Sequence, residues 1–121
     1  MAVLEYDIRT NAGEHWRRNF VWVTNGVNAP IGSCTAQLVV RSSFGGDALL
    51  ILTQASGMTL TDGNVYIEIT PSQIALVRDG LTDEQVPFPT GIYDLRLTYQ
   101  DGTQQIFLAG RFIVRKSVAA Q

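Results

Sequence analysis

The feature that most constrains the fold is a run of strict alternation near the end of the chain. From Tyr93 to Gln100 apolar and polar side chains alternate without interruption, and Asp101-Gly102 follows directly. Alternation with a period of two predicts a half-buried β-strand, and Asp-Gly predicts a tight hairpin turn. We therefore expect a β-hairpin in which a two-residue turn places Gln100 opposite Thr103.

This turn would fix the register of the whole hairpin. Every pair on the inner face then joins two apolar residues, or an aromatic residue with a glycine: Leu97 with Ile106, Leu95 with Leu108, and Tyr93 with Gly110. Pairs on the outer face are mixed: Arg96 with Phe107, Asp94 with Ala109, and Ile92 with Arg111. A solvated outer face would not require Phe107 and Ile113, so their presence indicates a covering partner.

Six further strands are predicted from alternation or from short apolar runs between turn residues. They lie near residues 4–9, 15–23, 34–41, 48–53, 58–61 and 65–69. In the second, Trp16, Arg18, Phe20 and Trp22 share one face, which we expect to turn toward the core, and Asn25-Gly26 ends the run. The run 48–53 is too apolar for a solvated face, so part of its outer face should be covered.

One segment has the signals of a helix. Thr70 is a suitable N-cap, Pro71 suits the first helical position, and Gln73 completes a capping box. Ile74, Leu76 and Val77 supply an apolar stripe, and Gly80 ends a helix near 71–79. Residues 81–91 contain two prolines and are expected to form the longest irregular connection.

These elements predict an all-β fold, an immunoglobulin-like antiparallel β-sandwich of seven or eight strands with one short helix. The Cys, Trp, Cys spacing of true immunoglobulin domains is absent, and a small barrel is the alternative. With 121 residues the chain is long enough for one core. We expect a single domain over residues 1–116 and a flexible tail over 117–121.

Composition excludes several classes of function. Nine basic and eleven acidic residues are spread along the chain, so no basic tract is available to bind nucleic acid. The longest apolar run, 48–52, is too short to cross a membrane, and the first residues lack the pattern of a signal peptide. Cys34 is the only cysteine, which excludes an intrachain disulfide and favours a buried side chain. A protein made in the cytosol is expected.

No residue pattern indicates catalysis, a cofactor or a metal site. His15 is the only histidine, and a triad with Asp7 and a serine has no supporting motif. The neighbouring acids Asp83 and Glu84, and also Glu5 and Asp7, are better explained by solubility and edge protection than by glycoside hydrolysis. We therefore expect a protein that is not an enzyme.

Five segments in this order and spacing resemble small β-sandwich virion proteins of tailed bacteriophages: residues 28–32, 36–41, 63–73, 91–102 and 108–114. The pattern is most similar to the N-terminal domain of the baseplate upper protein family. That resemblance implies a non-enzymatic docking module of the virion, synthesised in the host cytoplasm. It would bind other virion proteins in many symmetric copies and carry no catalytic residue or cofactor.

The leading hypothesis is therefore a tail or baseplate adaptor, with head decoration or a minor capsid protein as its variant. A carbohydrate-binding module is the alternative from another class, although the inward face expected for Trp16 and Trp22 favours a role in the core. The candidate contact residues are apolar side chains of the long connection and of the outer hairpin face: Leu81, Val86, Phe88, Phe107 and Ile113. Ordinary packing within the chain is the alternative role for these five.

Overall fold

A computed structural model describes residues 4–11, 13–81 and 90–115. Within these ranges the chain is all-β with one short helix, as the sequence predicts. The elements in chain order are β1 (Leu4–Glu5), β2 (Ile8–Asn11), β3 (Trp16–Val21), β4 (Val23–Thr24), β5 (Val27–Asn28), β6 (Thr35–Arg41), β7 (Ala48–Thr53), β8 (Met58–Thr61), β9 (Asn64–Ile69), α1 (Pro71–Gly80), β10 (Thr90–Thr98) and β11 (Gln104–Arg115).

The strands form two main sheets around one core. In the large sheet β11, β10, β6 and β7 are antiparallel neighbours in that order, and both β1 and β2 run parallel to β11 at the other edge. In the small sheet β9 lies between β3 and β8. Inward side chains of both sheets belong to the same hydrophobic cluster, among them Leu38, Leu95, Leu108, Val65 and Ile67.

The turn between β10 and β11 has three residues rather than the predicted two. The amide of Tyr99 donates to the carbonyl of Thr103 at 2.8 Å, and the amide of Gly102 donates to the carbonyl of Tyr99 at 3.0 Å. Gly102 has a φ of 89°, as a three-residue hairpin loop requires of its last residue. The expected pairing of Gln100 with Thr103 is therefore wrong, and Leu97 pairs with Gln105 instead of Ile106.

A β-bulge then restores the predicted register. Arg96 pairs with Ile106 and Leu95 pairs with Leu108, so Phe107 is the extra residue on β11. Beyond the bulge the predicted pairs are confirmed: Leu95 with Leu108, Asp94 with Ala109, Tyr93 with Gly110, and Ile92 with Arg111. The expected pair of Arg96 with Phe107 is wrong, because Arg96 pairs with Ile106 and Phe107 is the bulged residue. The bulge also allows two consecutive residues of β11, Phe107 and Leu108, to be buried.

Helix α1 begins as the sequence predicts. The side chain of Thr70 accepts the amide of Gln73 at 3.2 Å, and the side chain of Gln73 accepts the amide of Thr70 at 2.9 Å. Ile74 and Val77 are buried, whereas Leu76 is 57% exposed and does not join the predicted apolar stripe. No helix in the described part of the chain has the length and hydropathy needed to cross a membrane.

Two strands differ in detail from the expectation. Phe20 in β3 is buried, but Arg18 is exposed and its guanidinium lies over the ring of Tyr6, 4.8 Å from the centroid. In β7 the outer face is covered at only one end. A Cβ at Gly80, in the last turn of α1, would collide with Leu49, whereas Ile51 is 50% exposed.

A short hairpin after β3 was not expected. Strands β4 and β5 pair through Asn25 and Gly26, whose φ angles are 54° and 76°. Positive φ at both central residues is typical of a type I′ turn, for which Asn-Gly is the preferred sequence. The signal was present in the sequence, but the strands that flank it have only two residues each.

The three-residue loop predicts the effect of a valine at position 102. Gly102→Val is expected to lower the free energy of unfolding by about 1–2 kcal/mol, because a β-branched residue is strained at positive φ. A Cβ at this position meets no atom within 4 Å, so no clash adds to the strain. Thermal melts would measure the loss, and Gly102→Asn, which tolerates this conformation, should lose less. Equal melting temperatures for wild type and the valine variant would contradict the turn.

Candidate functional site

The outer face of the large sheet contains an open groove of about 750 Å³, called here the outer groove. Alternation along the strands places its side chains opposite those of the core, as with Val39 between the buried Leu38 and Val40. The lining comes from β6, β10, β11, β1, the link between β1 and β2, and the turn after β6: Glu5, Asp7, Gln37, Val39, Arg41, Phe44, Gly45, Ile92, Tyr93, Asp94, Arg96, Ile106, Ala109, Gly110 and Arg111.

The floor of the outer groove is apolar. Val39, Ile92, Ile106 and Ala109 are half-buried side chains on three adjacent strands. Phe44, in the turn between β6 and β7, lines the groove and is 92% exposed. So large an exposed apolar side chain beside an apolar floor is typical of a surface that binds another molecule.

Charged groups of both signs surround this floor. The strand register places Ile92 between Arg41 and Arg111, and Asp94 follows two residues later on β10. Arg41 donates to the carbonyl of Gly46 at 2.8 Å. Neither Arg41 nor Asp94 forms an ion pair with any residue that the structure describes. Both charges are therefore available to a partner.

Asp7 and Arg111 form one wall of the outer groove. One carboxylate oxygen of Asp7 accepts the backbone amide of Arg111 at 3.0 Å, and the other accepts two guanidinium nitrogens at 2.7 and 3.2 Å. The hydrogen bonds from the Arg111 side chain are the main cause that lowers the pKa of Asp7, and the same contacts raise the pKa of Arg111. The wall is thus a fixed ion pair rather than a pair of free charges.

A close backbone approach positions this wall. A Cβ at Gly110 would overlap the carbonyl oxygen of Tyr6, so only glycine allows the chain to pass here. The hydroxyl of Tyr93, which lies opposite Gly110, donates to the same carbonyl. Burial raises the pKa of Tyr93, so its hydroxyl stays protonated and keeps donating. The expected single strand over 4–9 is divided into β1 and β2, one on each side of this contact.

Those candidate contact residues that the structure describes are buried. Leu81, Phe107 and Ile113 are 8%, 2% and 7% exposed. Val86 and Phe88 lie outside the described residues. Three of the five candidates thus pack within the chain, the alternative given for them, and none of these three lines the outer groove.

Different contacts account for these buried side chains. The ring of Phe107 stacks on Trp22 with centroids 5.6 Å apart, which the bulge makes possible. Leu81 follows the last turn of α1, and its side chain lies 3.4 Å from the position a Cβ would take at Gly91. Ile113 is buried outside the main cluster, opposite Thr90 and beside Arg9.

The groove residues were only partly indicated by the sequence. The predicted pairing across the hairpin places Ile92, Asp94 and Arg96 on one mixed outer face, and this face indicates a partner. The contribution of β6 was not expected, because nothing in the local pattern indicates that β6 is the neighbour of β10. The signal that could have found it is the outward alternation of Val39 with Arg41 on a strand whose other face is fully apolar.

Of the groups considered for chemistry, Glu5 and Asp7 line the outer groove, where Asp7 is held in the ion pair of the wall, and the others that the structure describes lie apart from it. Cys34 is buried, and burial raises the pKa of its thiol. The carboxylate of Asp62 accepts the amide of Gly32 at 2.9 Å and so holds a loop. Within residues 4–11, 13–81 and 90–115, no three His, Cys, Asp or Glu side chains are grouped as metal ligands. Asp83 and Glu84 lie outside the described residues.

The ion pair in the groove wall predicts a pH dependence. Because the pKa of Asp7 is lower in the folded chain than its ordinary 3.8, its stabilisation is complete above that value and is lost as the pH falls through the lowered pKa. Thermal melts between pH 6 and pH 2 should show Asp7→Asn less stable than wild type at pH 6, with the difference shrinking on acidification. A difference that stays constant over this range would contradict the assignment.

Comparison with known proteins adds no family to this description. No protein-family model matches the sequence, and no curated protein matches it either. The resemblance to the baseplate upper protein family therefore stays a prediction from the order and spacing of the five segments.

Proposed function

We propose that this chain is a non-enzymatic structural protein of a tailed-phage virion, and that it docks to other virion proteins through the outer groove. The observation that carries this proposal is the composition of that surface. A half-buried apolar floor lies beside the exposed ring of Phe44 and beside charges of both signs that pair with no described residue. Within this proposal a tail or baseplate adaptor is the leading placement, and head decoration is the variant.

We also infer an immunoglobulin-like β-sandwich, on the strength of the strand order. The small sheet, β3-β9-β8, corresponds to strands B, E and D of that fold, and β11-β10-β6-β7 corresponds to G, F, C and C′. The short N-terminal strands, parallel to β11, take the place of a split first strand. Immunoglobulin-like folds serve many unrelated functions, so the strand order supports only a scaffold. The composition of the outer groove supports the use of that scaffold in docking.

The shape of the outer groove favours a macromolecule as its ligand. An open groove across several strands offers a broad contact area, whereas small-molecule sites enclose most of the ligand's surface. The centre is apolar and charged residues such as Arg41, Asp94 and Arg96 adjoin it, as in protein interfaces with an apolar core and a polar rim. Charges of both signs at fixed positions would select the orientation of the partner.

The rigidity of the surface supports the same use. Strands β6, β10 and β11 have hydrogen-bonded neighbours on both sides, and their inward side chains pack in the core. The Asp7–Arg111 ion pair fixes one wall. A preformed surface loses little conformational entropy on binding, which benefits a protein that assembles in many identical copies.

A carbohydrate-binding module remains the second candidate, and one feature favours it. Trp16 and Tyr99 are partly buried against the core, which leaves little ring area for a sugar. Tyr66, however, lies on the outer face of the small sheet between Asn19 and Thr59. Amide and hydroxyl groups beside an aromatic ring can bind sugar hydroxyls. Glycan-array binding that Tyr66→Ala removes without changing the thermal melt would favour this candidate.

Complementation of phage particles tests the docking proposal. A phage that encodes the chain would be grown without its own copy of the gene and supplied with variants in trans, and purified virions would be analysed by mass spectrometry. Asp94→Arg is expected to reduce incorporation at least tenfold, because it places a third positive charge beside Arg41 and Arg96. Its melting temperature should stay close to that of wild type, since Asp94 joins no ion pair in the described chain.

The matched control is Thr59→Lys, an exposed change on the outer face of the small sheet. It should enter particles as the wild type does. Absence of the wild-type chain from virions would contradict the virion proposal, and normal incorporation of Asp94→Arg would contradict the outer groove as the docking surface. The copy number separates the placements, because a small multiple of three or six indicates the tail and a number matching the capsid lattice indicates the head.

A further inference from the structure

We propose that Asn25-Gly26 is a site of covalent self-modification, at which the chain converts Asn25 into aspartate and isoaspartate through a cyclic imide. The reaction takes place within the chain, and water is its only co-reactant. This inference does not depend on the phage role, because it rests on the hairpin β4–β5 and not on the outer groove.

The chemistry requires two free groups in neighbouring residues. The backbone nitrogen that follows an asparagine loses its proton and attacks the carbonyl carbon of the asparagine side chain. A bond forms between that nitrogen and that carbon, the bond from the carbon to the side-chain amide nitrogen breaks, and ammonia leaves with the proton. Water then opens the imide at one of its two carbonyls and gives aspartate or isoaspartate. Glycine favours the attack, because it has no Cβ to obstruct the closing ring.

The first argument is that the structure occupies the attacking nitrogen in every comparable pair but one. The sequence places an asparagine or an aspartate before a glycine at Asn25-Gly26, Asp62-Gly63, Asp79-Gly80 and Asp101-Gly102. The amide of Gly63 donates to the carbonyl of Ala29 at 2.8 Å, and the amide of Gly102 donates to the carbonyl of Tyr99 at 3.0 Å. Gly80 lies in the last turn of α1, where the amides are hydrogen-bonded within the helix.

The carbonyl groups of these three pairs are protected as well. Each carboxylate accepts a hydrogen bond: Asp62 from the amide of Gly32, Asp79 from Arg78 and Asp101 from the amide of Thr103. An ionised carboxylate is also attacked less readily than a neutral amide, because it already carries negative charge. The three Asp-Gly pairs are therefore stable while the chain is folded.

The second argument is that both groups are free at Asn25-Gly26. In the described part of the chain, neither the side chain of Asn25 nor the amide of Gly26 joins a hydrogen bond. The side chains of Asn11, Asn19 and Asn64, in contrast, are all hydrogen-bonded. A Cβ at Gly26 would meet no atom within 4 Å, so there is also room for the ring.

The third argument is that the hairpin can open at little cost. Closing the ring needs a rotation within Asn25, which the type I′ turn holds at a φ of 54°. Strands β4 and β5 have two residues each, and every residue from 23 to 28 is exposed, so opening breaks few contacts. The base stays in place, because the amide of Trp22 donates to the carbonyl of Gly63 and the carbonyl of Trp22 accepts the amide of Ala29.

The two products change the hairpin differently. Aspartate keeps the turn, because Asp-Gly also suits type I′, and it adds a negative charge to residues 19–40, which contain no charged side chain. That charge lies beside the exposed side chains of Val23 and Val27. Isoaspartate lengthens the main chain by one carbon and so removes the two-residue turn. The modification thus converts a neutral, partly apolar tip into an anionic one.

Peptide mapping of the aged, folded chain tests the site. The purified chain is incubated at mildly alkaline pH, digested with trypsin and analysed by tandem mass spectrometry, and an unaged sample digested in parallel corrects for conversion during digestion. The tryptic peptide 19–41 contains both Asn25 and Asn28. Asn25 is expected to convert at least about tenfold faster, because Ala29 carries a Cβ and its amide donates to the carbonyl of Trp22 at 3.0 Å.

Enzymatic methylation of isoaspartate gives a second readout. In the folded chain the methyl label should concentrate in peptide 19–41, and the label at the three Asp-Gly pairs should appear only after unfolding in urea. Asn25→Gly, which suits a type I′ turn, should melt close to wild type and lose the label. An unmodified Asn25 in the aged folded chain, equal conversion of Asn25 and Asn28, or a label that Asn25→Gly leaves unchanged would overturn the proposal.

Discussion

The passage of the Tyr6 carbonyl across Gly110 is the contact on which the arrangement of the large sheet depends. Any side chain at position 110 would displace the N-terminal segment, because a Cβ there overlaps that oxygen. The hydroxyl of Tyr93 binds the same carbonyl, so one buried contact joins β10, β11 and the N-terminal segment. It also places Asp7 where Arg111 can bind it with two hydrogen-bonding groups. The core and the groove wall are therefore fixed together.

The hairpin β10–β11 decides which side chains face outward. A three-residue loop shifts the pairing by one residue, and the bulge at Phe107 shifts it back. The ring of Phe107 thereby packs on Trp22, while Ile106 and Ala109 remain on the groove side. Without the bulge, the residues beyond it would pair one position out of register with β10. The composition of the outer groove thus follows from one inserted residue.

Local patterns predicted much of the fold but less of the candidate site. Alternation predicted the strands, and the capping box predicted where α1 begins. The pair of Tyr93 with Gly110 was predicted from a two-residue turn, and it is found because the bulge at Phe107 offsets the extra residue of the loop. Asp-Gly suits loops of two and of three residues, so the loop length could not be predicted from it. The bulge depends on the long-range contact of Phe107 with Trp22, and the groove depends on which strands are neighbours. Neither is encoded in a local pattern, so the burial of Phe107 against Trp22 could not be predicted from the alternation of the hairpin.

Hydroxyl-radical footprinting of the chain, free and assembled in particles, tests the central claim that the outer groove is the docking surface. Phe44 and Tyr66 are reactive aromatic residues on opposite faces of the molecule, and Phe44 is 92% exposed in the single chain. The account predicts strong oxidation of Phe44 in the free chain, marked protection of Phe44 in the particle, and unchanged oxidation of Tyr66. Protection of Tyr66 with Phe44 still fully oxidised in the particle would contradict it.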